Sequence, residues 1–339
     1  MSVLTQEKAI IAFKALGKKL ANPIAVLGDS IYQVQNSNAW FTLENIERSI
    51  LSFSKMLNDT DVDQWFKTAS FTSSSKKVGL ILAGNIPLVG FHDVLCVLAS
   101  GNTALIKLSS SDDKLIKTVI AELLTIEPAF QDKIEYVERL KDFDAVIATG
   151  SNNSSRYFDY YFSKVPNIIR KNRNSVAVLD GTETPEEIKN LGADIFDYFG
   201  LGCRNVSKIF YPKGYDIANF YEGIEGYNNI INHFKYQNNY DYNKSIYLVN
   251  AAKHFDNGFL LLKEDENLTS PLAVLFYQEY ENIIAVEDQL KANSEQIQCI
   301  ITKTQLSVQT FNFGESQHPK LWDYADNVNT IEFLNTLAS

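Results

Sequence analysis

The pattern of apolar and polar positions is clearest over residues 78–112, where it predicts a strand, a helix and a second strand. Residues 78–83 form a short apolar run that ends at Gly84, as in a strand buried on both faces. Apolar residues then recur at helical spacing over 88–100, and residues 103–108 form a second β-rich run. Two buried strands joined by a helix make a right-handed βαβ unit. Open α/β sheets bind ligands at the polar turns that follow such strands.

The same patterning predicts helices before this unit and alternating strands and helices after it. Residues 5–70 are predicted to be largely helical, with N-caps at Thr42 and Thr60. The further predicted strands are 134–137, 144–148, 175–179, 206–211, 259–262, 272–280 and 298–302. The later predicted helices are 112–126, 152–164, one from a capping box at Thr184 to about 199, much of 216–254, and 286–292. A chain of 339 residues exceeds one ordinary core, so the alternation predicts two α/β domains, residues 1–180 and 181–339.

Composition is that of a soluble globular protein and matters mainly for what it excludes. The chain is 45% hydrophobic and 21% charged. Its net charge of −10 opposes a general affinity for nucleic acid. No apolar run reaches the roughly 20 residues of a membrane span, and the first residues lack the basic start and apolar core of a signal peptide. We therefore expect a cytoplasmic protein with no nucleic-acid partner and no membrane span.

Metal and disulfide chemistry are not indicated by the sequence. The three cysteines and four histidines show neither CxxC nor HxxxH spacing, so we expect no metal site and no disulfide framework. One basic cluster occurs at residues 170–173 (RKNR). It has two interpretations, a solvated loop or a contact for an anion, and both stay open here.

Cys203 is the strongest candidate for reaction chemistry. It follows Gly-Leu-Gly directly, at a predicted helix-to-strand turn where glycines let the sulfur be exposed and a substrate approach closely. The neighbouring Arg204 would favour the thiolate, which is the reactive form. The alternative is a small buried apolar residue, as most free cysteines are, and this is what we expect of Cys96 and Cys299.

A second turn of the nucleotide-binding kind follows the predicted strand 144–148. Thr149, Gly150 and Ser151 end that strand and precede a predicted helix, whose N-terminal amides can face a phosphate. Residues 200–205 (GLGCRN) have only a superficial likeness to a dinucleotide fingerprint, because they precede a strand instead of following one.

These turns and the thiol together resemble the aldehyde dehydrogenase superfamily. Its pattern of an Asn-x-Pro turn, a helix and Gly-Asn-Thr-x-x-x-Lys stands here as residues 85–87 (NIP) and 101–107 (GNTALIK). Residues 149–151 (TGS) match its second cofactor turn, and Cys203 falls at the position of its nucleophilic cysteine. Residues 266–271 (ENLTSP) are only loosely similar to its Glu-x-Phe-Gly-Pro element, so a cofactor role for the glutamate stays open.

Within the superfamily, the closer likeness is to the fatty acyl-CoA reductases of the bacterial bioluminescence type. It extends from about residue 76 onward and rests on four segments, 84–93 (GNIPLVGFHD), 107–110 (KLSS), 202–207 (GCRNVS) and 313–317 (FGESQ). The resemblance implies an aldehyde dehydrogenase-like α/β fold with open twisted sheets. It implies N-terminal helices and a Rossmann-like NAD(P)-binding domain in residues 1–180. Residues 181–339 would then form a catalytic thiol domain with a C-terminal tail.

Two departures from the superfamily indicate the kind of reaction and the cofactor. Ile169 stands where the hydrolytic enzymes carry a water-activating glutamate, and general base catalysis is worth roughly 10²–10⁴-fold. The resemblance therefore implies an acyl-enzyme that accepts hydride or exchanges with CoA. Ser110 stands where NAD-dependent members carry a ribose-binding glutamate, which leaves room for a 2′-phosphate and implies NADPH. The residues implied to bind it are Lys107, Ser109, Ser110, Thr149, Gly150 and Ser151.

The resemblance thus implies NADPH-dependent reduction of a long-chain acyl-CoA to the aldehyde. Cys203 would carry the acyl group, and the Asn85 amide with the backbone N–H of Cys203 would stabilise the oxyanion. His92 lies on a predicted helix, which favours a structural histidine over a catalytic acid. The implied partners are acyl-CoA, further copies of the chain in a homo-oligomer, and an acyl-transferring enzyme. An NADP-dependent semialdehyde or aldehyde dehydrogenase and a non-catalytic cofactor-binding subunit stay open as alternatives.

Overall fold

The computed structural model describes residues 3–72, 74–150 and 152–337, which divide by their contacts into two units. The first unit contains the chain up to Asn172 and the segment from His318 onward, and the second is Arg173–Gln317. The unit boundary therefore precedes the division after residue 180 that the sequence suggests. The C-terminal segment belongs to the first unit because Leu321 and Leu334 are buried in its core.

The first unit begins with five helices. Helices α1 to α5 are Gln6–Leu20, Pro23–Leu27, Ile31–Ser37, Leu43–Met56 and Asp59–Phe66. Thr42 caps α4 by accepting a hydrogen bond from the Asn45 N–H, as predicted. The predicted cap at Thr60 is wrong, because α5 begins at Asp59 and the Asn58 side chain accepts from the Asp61 N–H.

A five-stranded parallel sheet forms the centre of the first unit, in the order β3-β2-β1-β4-β5. Strands β1 to β5 are Lys77–Ile81, Thr103–Lys107, Ile134–Tyr136, Ala145–Thr149 and Asn167–Arg170. Helices α6 to α8 are Phe91–Ala99, Asp113–Ile126 and Asn152–Phe162, and a last helix of this unit is Thr330–Thr336. The predicted βαβ unit is confirmed, since β1 and β2 are parallel neighbours joined through α6.

Strand β5 is one of three elements that the sequence pattern misses, with the strand Phe255–Asp256 and the helix Thr330–Thr336. Strand β5 contains Arg170, which is buried and donates to Asp93 of α6 at 2.5 Å. The same guanidinium donates to the Ala325 carbonyl and the Thr330 hydroxyl. Both predicted interpretations of the cluster 170–173 are therefore wrong for Arg170, which is neither in a solvated loop nor open to an anion.

The second unit is built on a six-stranded sheet in the order β11-β6-β7-β10-β9-β8, in which β8 alone runs antiparallel to its neighbour. Strands β6 to β11 are Asn174–Val178, Val206–Pro212, Phe255–Asp256, Leu261–Glu264, Val274–Tyr280 and Ile297–Ile301. Helices α9 to α12 are Pro185–Phe196, Ile217–Ile224, Phe234–Val249 and Ile283–Ala292. The predicted capping box at the start of α9 is confirmed, with Thr184 and Glu187 bonded reciprocally.

Two structural features are absent from the described ranges. No helix there is long and apolar enough to cross a membrane. No group of three His, Cys, Asp or Glu side chains there is arranged to hold a metal ion.

Candidate active site

Three of the predicted turns share one edge of the first sheet. The chain runs from β1 to β2 on one side and returns to β4 on the other, so the strand order reverses at β1. Ile81 at the end of β1 pairs with Lys107 of β2 and with Ala148 of β4, so the three strands end level. Doubly wound sheets bind nucleotides at the carboxyl edge where the strand order reverses.

The turn after β1 touches the turn after β2 through Gly84. A Cβ built on Gly84 would lie 2.6 Å from Ser109 Oγ and 2.8 Å from Ser109 Cβ, closer than real atoms approach. Only glycine therefore lets these two turns pack together. Ser109 Oγ also accepts a hydrogen bond from the Ser111 N–H at 3.3 Å, so the second turn is internally held.

The backbone that follows Asn85 is fixed from two sides. Leu88 has a φ of 59°, and its N–H donates to Asp112 Oδ2 at 2.7 Å. The Ser49 hydroxyl of α4 donates to the Pro87 carbonyl at 2.7 Å. Asp112 is buried, and burial raises the pKa of its carboxyl well above the ordinary value. Asn85 itself is exposed in this turn, which leaves its side chain at the surface of the first unit.

The predicted cofactor residues differ in how they present themselves. Lys107, Ser109 and Thr149 are half-buried, whereas Ser110 is exposed. Gly150 lies directly on α8, because a Cβ there would lie 2.8 Å from Phe158 Cε2 and 2.9 Å from Ser154 Cβ. Ser151 lies outside the described residues.

Ile169 lies in β5 and pairs with Ala148, one position before the buried Arg170. The residue that the sequence resemblance matches to the water-activating glutamate is thus a half-buried aliphatic side chain within a strand. Burial raises the pKa of Asp93, although the paired Arg170 opposes that shift. The Arg170–Asp93 ion pair is therefore a buried contact between β5 and α6 within the first unit.

His92 is held as a structural residue, as predicted. Its Nε2 lies 3.0 Å from the Leu321 carbonyl, and its ring packs against Trp65 and Tyr324. Cys96, one turn further along α6, is buried as expected.

Cys203 lies in a loop of the second unit with an unusual backbone. Helix α9 ends at Phe196, and a 3-10 turn follows in which Tyr198, Phe199 and Gly200 have φ values of 54°, 59° and 78°. The left-handed region costs a residue with a side chain roughly 1–2 kcal/mol. Such conformations persist only where the surroundings impose them, and they cluster at functional sites.

Two buried polar side chains hold the loop around Cys203. Asn205 Oδ1 accepts from the Gly202 N–H at 2.8 Å. The Ser175 hydroxyl donates to the Cys203 carbonyl at 3.0 Å and accepts from the Cys299 N–H at 3.1 Å. Cys203 itself is half-buried, unlike the two other cysteines. The backbone on both sides of the thiol is therefore fixed.

Arg204 contacts another cysteine of the second unit, Cys299. Its Nη1 donates to Cys299 Sγ at 3.2 Å, and its guanidinium lies over the Phe311 ring. Cys299 is buried in β11, as expected. The guanidinium thus contacts a core thiol.

Lys208 of β7 is a buried lysine that sequence reasoning missed. Its ammonium donates to the Asp265 and Glu266 carbonyls at 3.0 and 2.9 Å and to Gln278 Oε1 at 2.9 Å. Burial lowers its pKa to about 8. Two of these bonds hold the chain at the start of residues 266–271, the element with the loose family likeness. In the sequence, a charged residue inside an otherwise apolar strand was the available signal.

A cavity of about 70 Å³ lies beside the thiol loop within the second unit. Gly200, Gly202, Tyr236 and Leu272 are among the residues that line it. The loop therefore borders open space, and Asn205, which anchors the loop, also lines that cavity.

Comparison with known proteins identifies the family. Residues 33–222, more than half of the chain, match the sequence profile of the LuxC acyl-CoA reductases. The chain belongs to the LuxC acyl-CoA reductase family. The match includes Asn85, the turn from Lys107 to Ser110 and Cys203, and it shows that the protein is an oxidoreductase. No curated protein matches the chain.

Solved structures show that this LuxC family member has the aldehyde dehydrogenase fold. An Escherichia coli NADP-dependent enzyme superposes with a TM-score of 0.66 at 12% identity, covering 92% of this chain and 76% of its own. A Corynebacterium glutamicum NAD-dependent benzaldehyde dehydrogenase gives 0.63 at 11%, covering 88% and 76%. A Mycobacterium tuberculosis aldehyde dehydrogenase complexed with NAD⁺ gives 0.60 at 13%, covering 88% and 73%.

Proposed function

We propose that this protein reduces acyl-CoA to the aldehyde through a thioester on Cys203. The observation that supports the proposal best is the thiol loop, in which a half-buried cysteine follows a left-handed backbone and is held by Ser175 and Asn205. A cysteine kept only for packing needs no such loop. Cys96 and Cys299, by contrast, are buried within a helix and a strand.

In the proposed reaction, the Cys203 thiolate attacks the acyl-CoA carbonyl. The new S–C bond forms as the bond to the CoA sulfur breaks, and CoA leaves as the thiol after taking up a proton. We assign stabilisation of the oxyanion to the Asn85 amide and the Cys203 N–H. One such donor is worth about 10²–10³ in rate. The bonds from Leu88 to Asp112 and from Ser49 to Pro87 favour a fixed position for the Asn85 turn.

We assign cofactor binding to the carboxyl edge of the first sheet. The level strand ends and the close packing of Gly84 against Ser109 support this assignment, because doubly wound sheets bind nucleotides at such an edge. Lys107, Ser109, Ser110, Thr149 and Gly150 would hold NADPH, with the exposed Ser110 leaving room for the 2′-phosphate. When bound, NADPH supplies hydride. The similar structures include an NADP-dependent and an NAD-dependent enzyme, so the fold accommodates either cofactor.

Ile169 supports reduction over hydrolysis. An aliphatic side chain cannot activate water, so the thioester on Cys203 lasts long enough to be reduced. Reduction of the thioester carbonyl gives a thiohemiacetal on Cys203. Its collapse breaks the S–C bond, releases the aldehyde and restores the thiolate. A long acyl chain is part of the proposal on the strength of the family likeness.

A chain-length assay tests the proposal. The protein is incubated with acyl-CoAs of increasing length and either NADPH or NADH, and both cofactor oxidation and aldehyde are measured. We expect turnover that favours long chains and NADPH, loss of turnover in Cys203→Ala, and its retention in Cys96→Ala. A protein that oxidises a short semialdehyde with NADP⁺ but reduces no acyl-CoA contradicts the proposal. Absence of turnover with every substrate indicates a non-catalytic subunit.

A further inference from the structure

Residues 313–317 (FGESQ) form a motif with no part in the chemistry proposed above. In the second unit this segment bonds to one buried carboxylate, Asp194 of α9. The Gly314 N–H donates to Asp194 Oδ2 at 2.6 Å, and the Ser316 N–H and hydroxyl donate to Oδ1 at 3.0 and 2.6 Å. The motif is thus tied to the last turn of α9.

Asn205 joins the same end of α9 to the thiol loop. Its side-chain amide donates to the carbonyls of Asp194, Ile195 and Asp197, at 3.1, 3.4 and 2.9 Å. These belong to the carbonyls that a helix end leaves without intrahelical donors. Its Oδ1 accepts from the Gly202 N–H at 2.8 Å, and the side chain is only 3% exposed. The nitrogen of this buried amide thus bonds to the end of α9, and its oxygen bonds to the residue before Cys203.

We propose that Asn205 is a positioning residue for Cys203, and that residues 313–317 brace it through Asp194. This inference rests on the proposed function, because it concerns the geometry of acyl transfer to that thiol. The Asn205 side chain is restricted in its movement, because it is buried and its amide bonds both to the end of α9 and to Gly202. Removing it frees the Gly202 N–H and leaves three buried carbonyls without that donor, which is costly in the interior.

The test compares two reactions of the same thiol in Asn205→Ala and in the wild type. Acylation by acyl-CoA without NADPH requires a correctly placed oxyanion, whereas alkylation by iodoacetamide does not. Misplacement by about 1 Å can cost 10²-fold in a positioned reaction. We therefore expect acylation, followed by intact-protein mass, to fall about 10- to 100-fold, and alkylation to change less than about threefold.

Asn243→Ala is the matched control. Asn243 is also buried in the second unit and donates to two backbone carbonyls, those of Asn239 and Leu272, at 2.9 Å each. We expect a comparable loss of stability with both thiol reactions unchanged. Ser316→Ala, which removes one bond to Asp194, should lower acylation about threefold, and it decides the question if Asn205→Ala does not fold.

Four outcomes count against these proposals in different ways. If Asn205→Ala acylates at the wild-type rate, or if its acylation and alkylation fall in parallel, the positioning role is overturned while the proposed function stands. If Asn243→Ala loses acylation equally, the effect is one of general stability and the positioning role is again overturned. If the wild type alkylates but never acylates, the proposed function itself is wrong.

Discussion

At the scale of single residues, each of the two units contains a buried charged side chain whose hydrogen bonds hold neighbouring elements in place. Arg170 pairs with Asp93 inside the first unit, while Lys208 donates to two carbonyls and one amide oxygen in the second. Burying an ammonium is costly, and the nearby carboxylates of Asp265 and Glu266 offset only part of the desolvation of Lys208. The three hydrogen bonds of the Lys208 ammonium offset part of this cost, and one of them holds the backbone at Glu266.

This cost predicts how stability depends on pH. The folded pKa of Lys208 is about 8, below the ordinary 10.5, so between these values the unfolded chain binds more protons. The contribution of Lys208 to the free energy of unfolding therefore rises with pH across that window. We expect the difference in unfolding free energy, wild type minus Lys208→Met, to increase from about pH 8 to about pH 10.5 in urea titrations.

The exposed Lys189 of α9, changed to Met, is the matched control for that titration. A difference that stays constant over the window for Lys208→Met would show that the Lys208 ammonium is not held in the buried setting described above.

The sequence indicates a candidate functional residue only where the residues next to it in the chain supply the signal. Cys203 stands out as a candidate because Gly-Leu-Gly precedes it directly. Asn205, Asp194 and Lys208 are not, because their partners are brought by the fold, and Asp194 bonds to residues 120 and 122 positions away. Arg204 shows the same limit, since its guanidinium donates to Cys299 of β11, 95 positions away in the chain.

At the scale of elements, the candidate site depends more on the turns than on the strands and helices that they join. The turn after β1 depends on a glycine at residue 84 and on a left-handed Leu88 held by Asp112. The loop before β7 depends on the left-handed run at residues 198–200. Each of these backbones is imposed by hydrogen bonds or close contacts from other elements of its own unit.

Gly84→Ala tests the contact between the turns after β1 and β2. The new methyl would meet Ser109 at 2.6–2.8 Å, so one turn must move. We expect a loss of about 1–3 kcal/mol in unfolding free energy, typical of overpacking, together with weaker NADPH binding by fluorescence titration. The second change Ser109→Gly should restore part of the stability.

Gly226→Ala is the control for that substitution, because a methyl there meets nothing within 4 Å. Gly84→Ala with unchanged stability and unchanged cofactor affinity would contradict the role assigned to this contact.

Apolar patterning predicted most elements of both sheets, because their strands are buried and their helices are amphipathic. It missed β5, whose four residues begin with Asn167 and end with Arg170. The salt bridge to Asp93 and the hydrogen bonds to Ala325 and Thr330 make that arginine an interior residue. It also misplaced the cap of α5, since both Asn58 and Thr60 are good caps and the sequence does not decide between them.

At the scale of the whole molecule, the two units divide the proposed work. The first presents a level carboxyl edge of parallel strands with Asn85 and the proposed cofactor residues. The second presents the anchored thiol loop. The family match spans both Asn85 and Cys203, and the solved relatives share the fold at 11–13% identity. At such identity the chemistry must be argued from the residues themselves.

The most direct test of the central claim is the intact mass of the protein after mixing with a long-chain acyl-CoA in the absence of reduced cofactor. We expect the mass to rise by one acyl group in the wild type and in Cys96→Ala, but not in Cys203→Ala. Adding NADPH should then return the mass to its starting value and release the aldehyde. No gain in mass, or a gain that persists in Cys203→Ala, would contradict a thioester on Cys203.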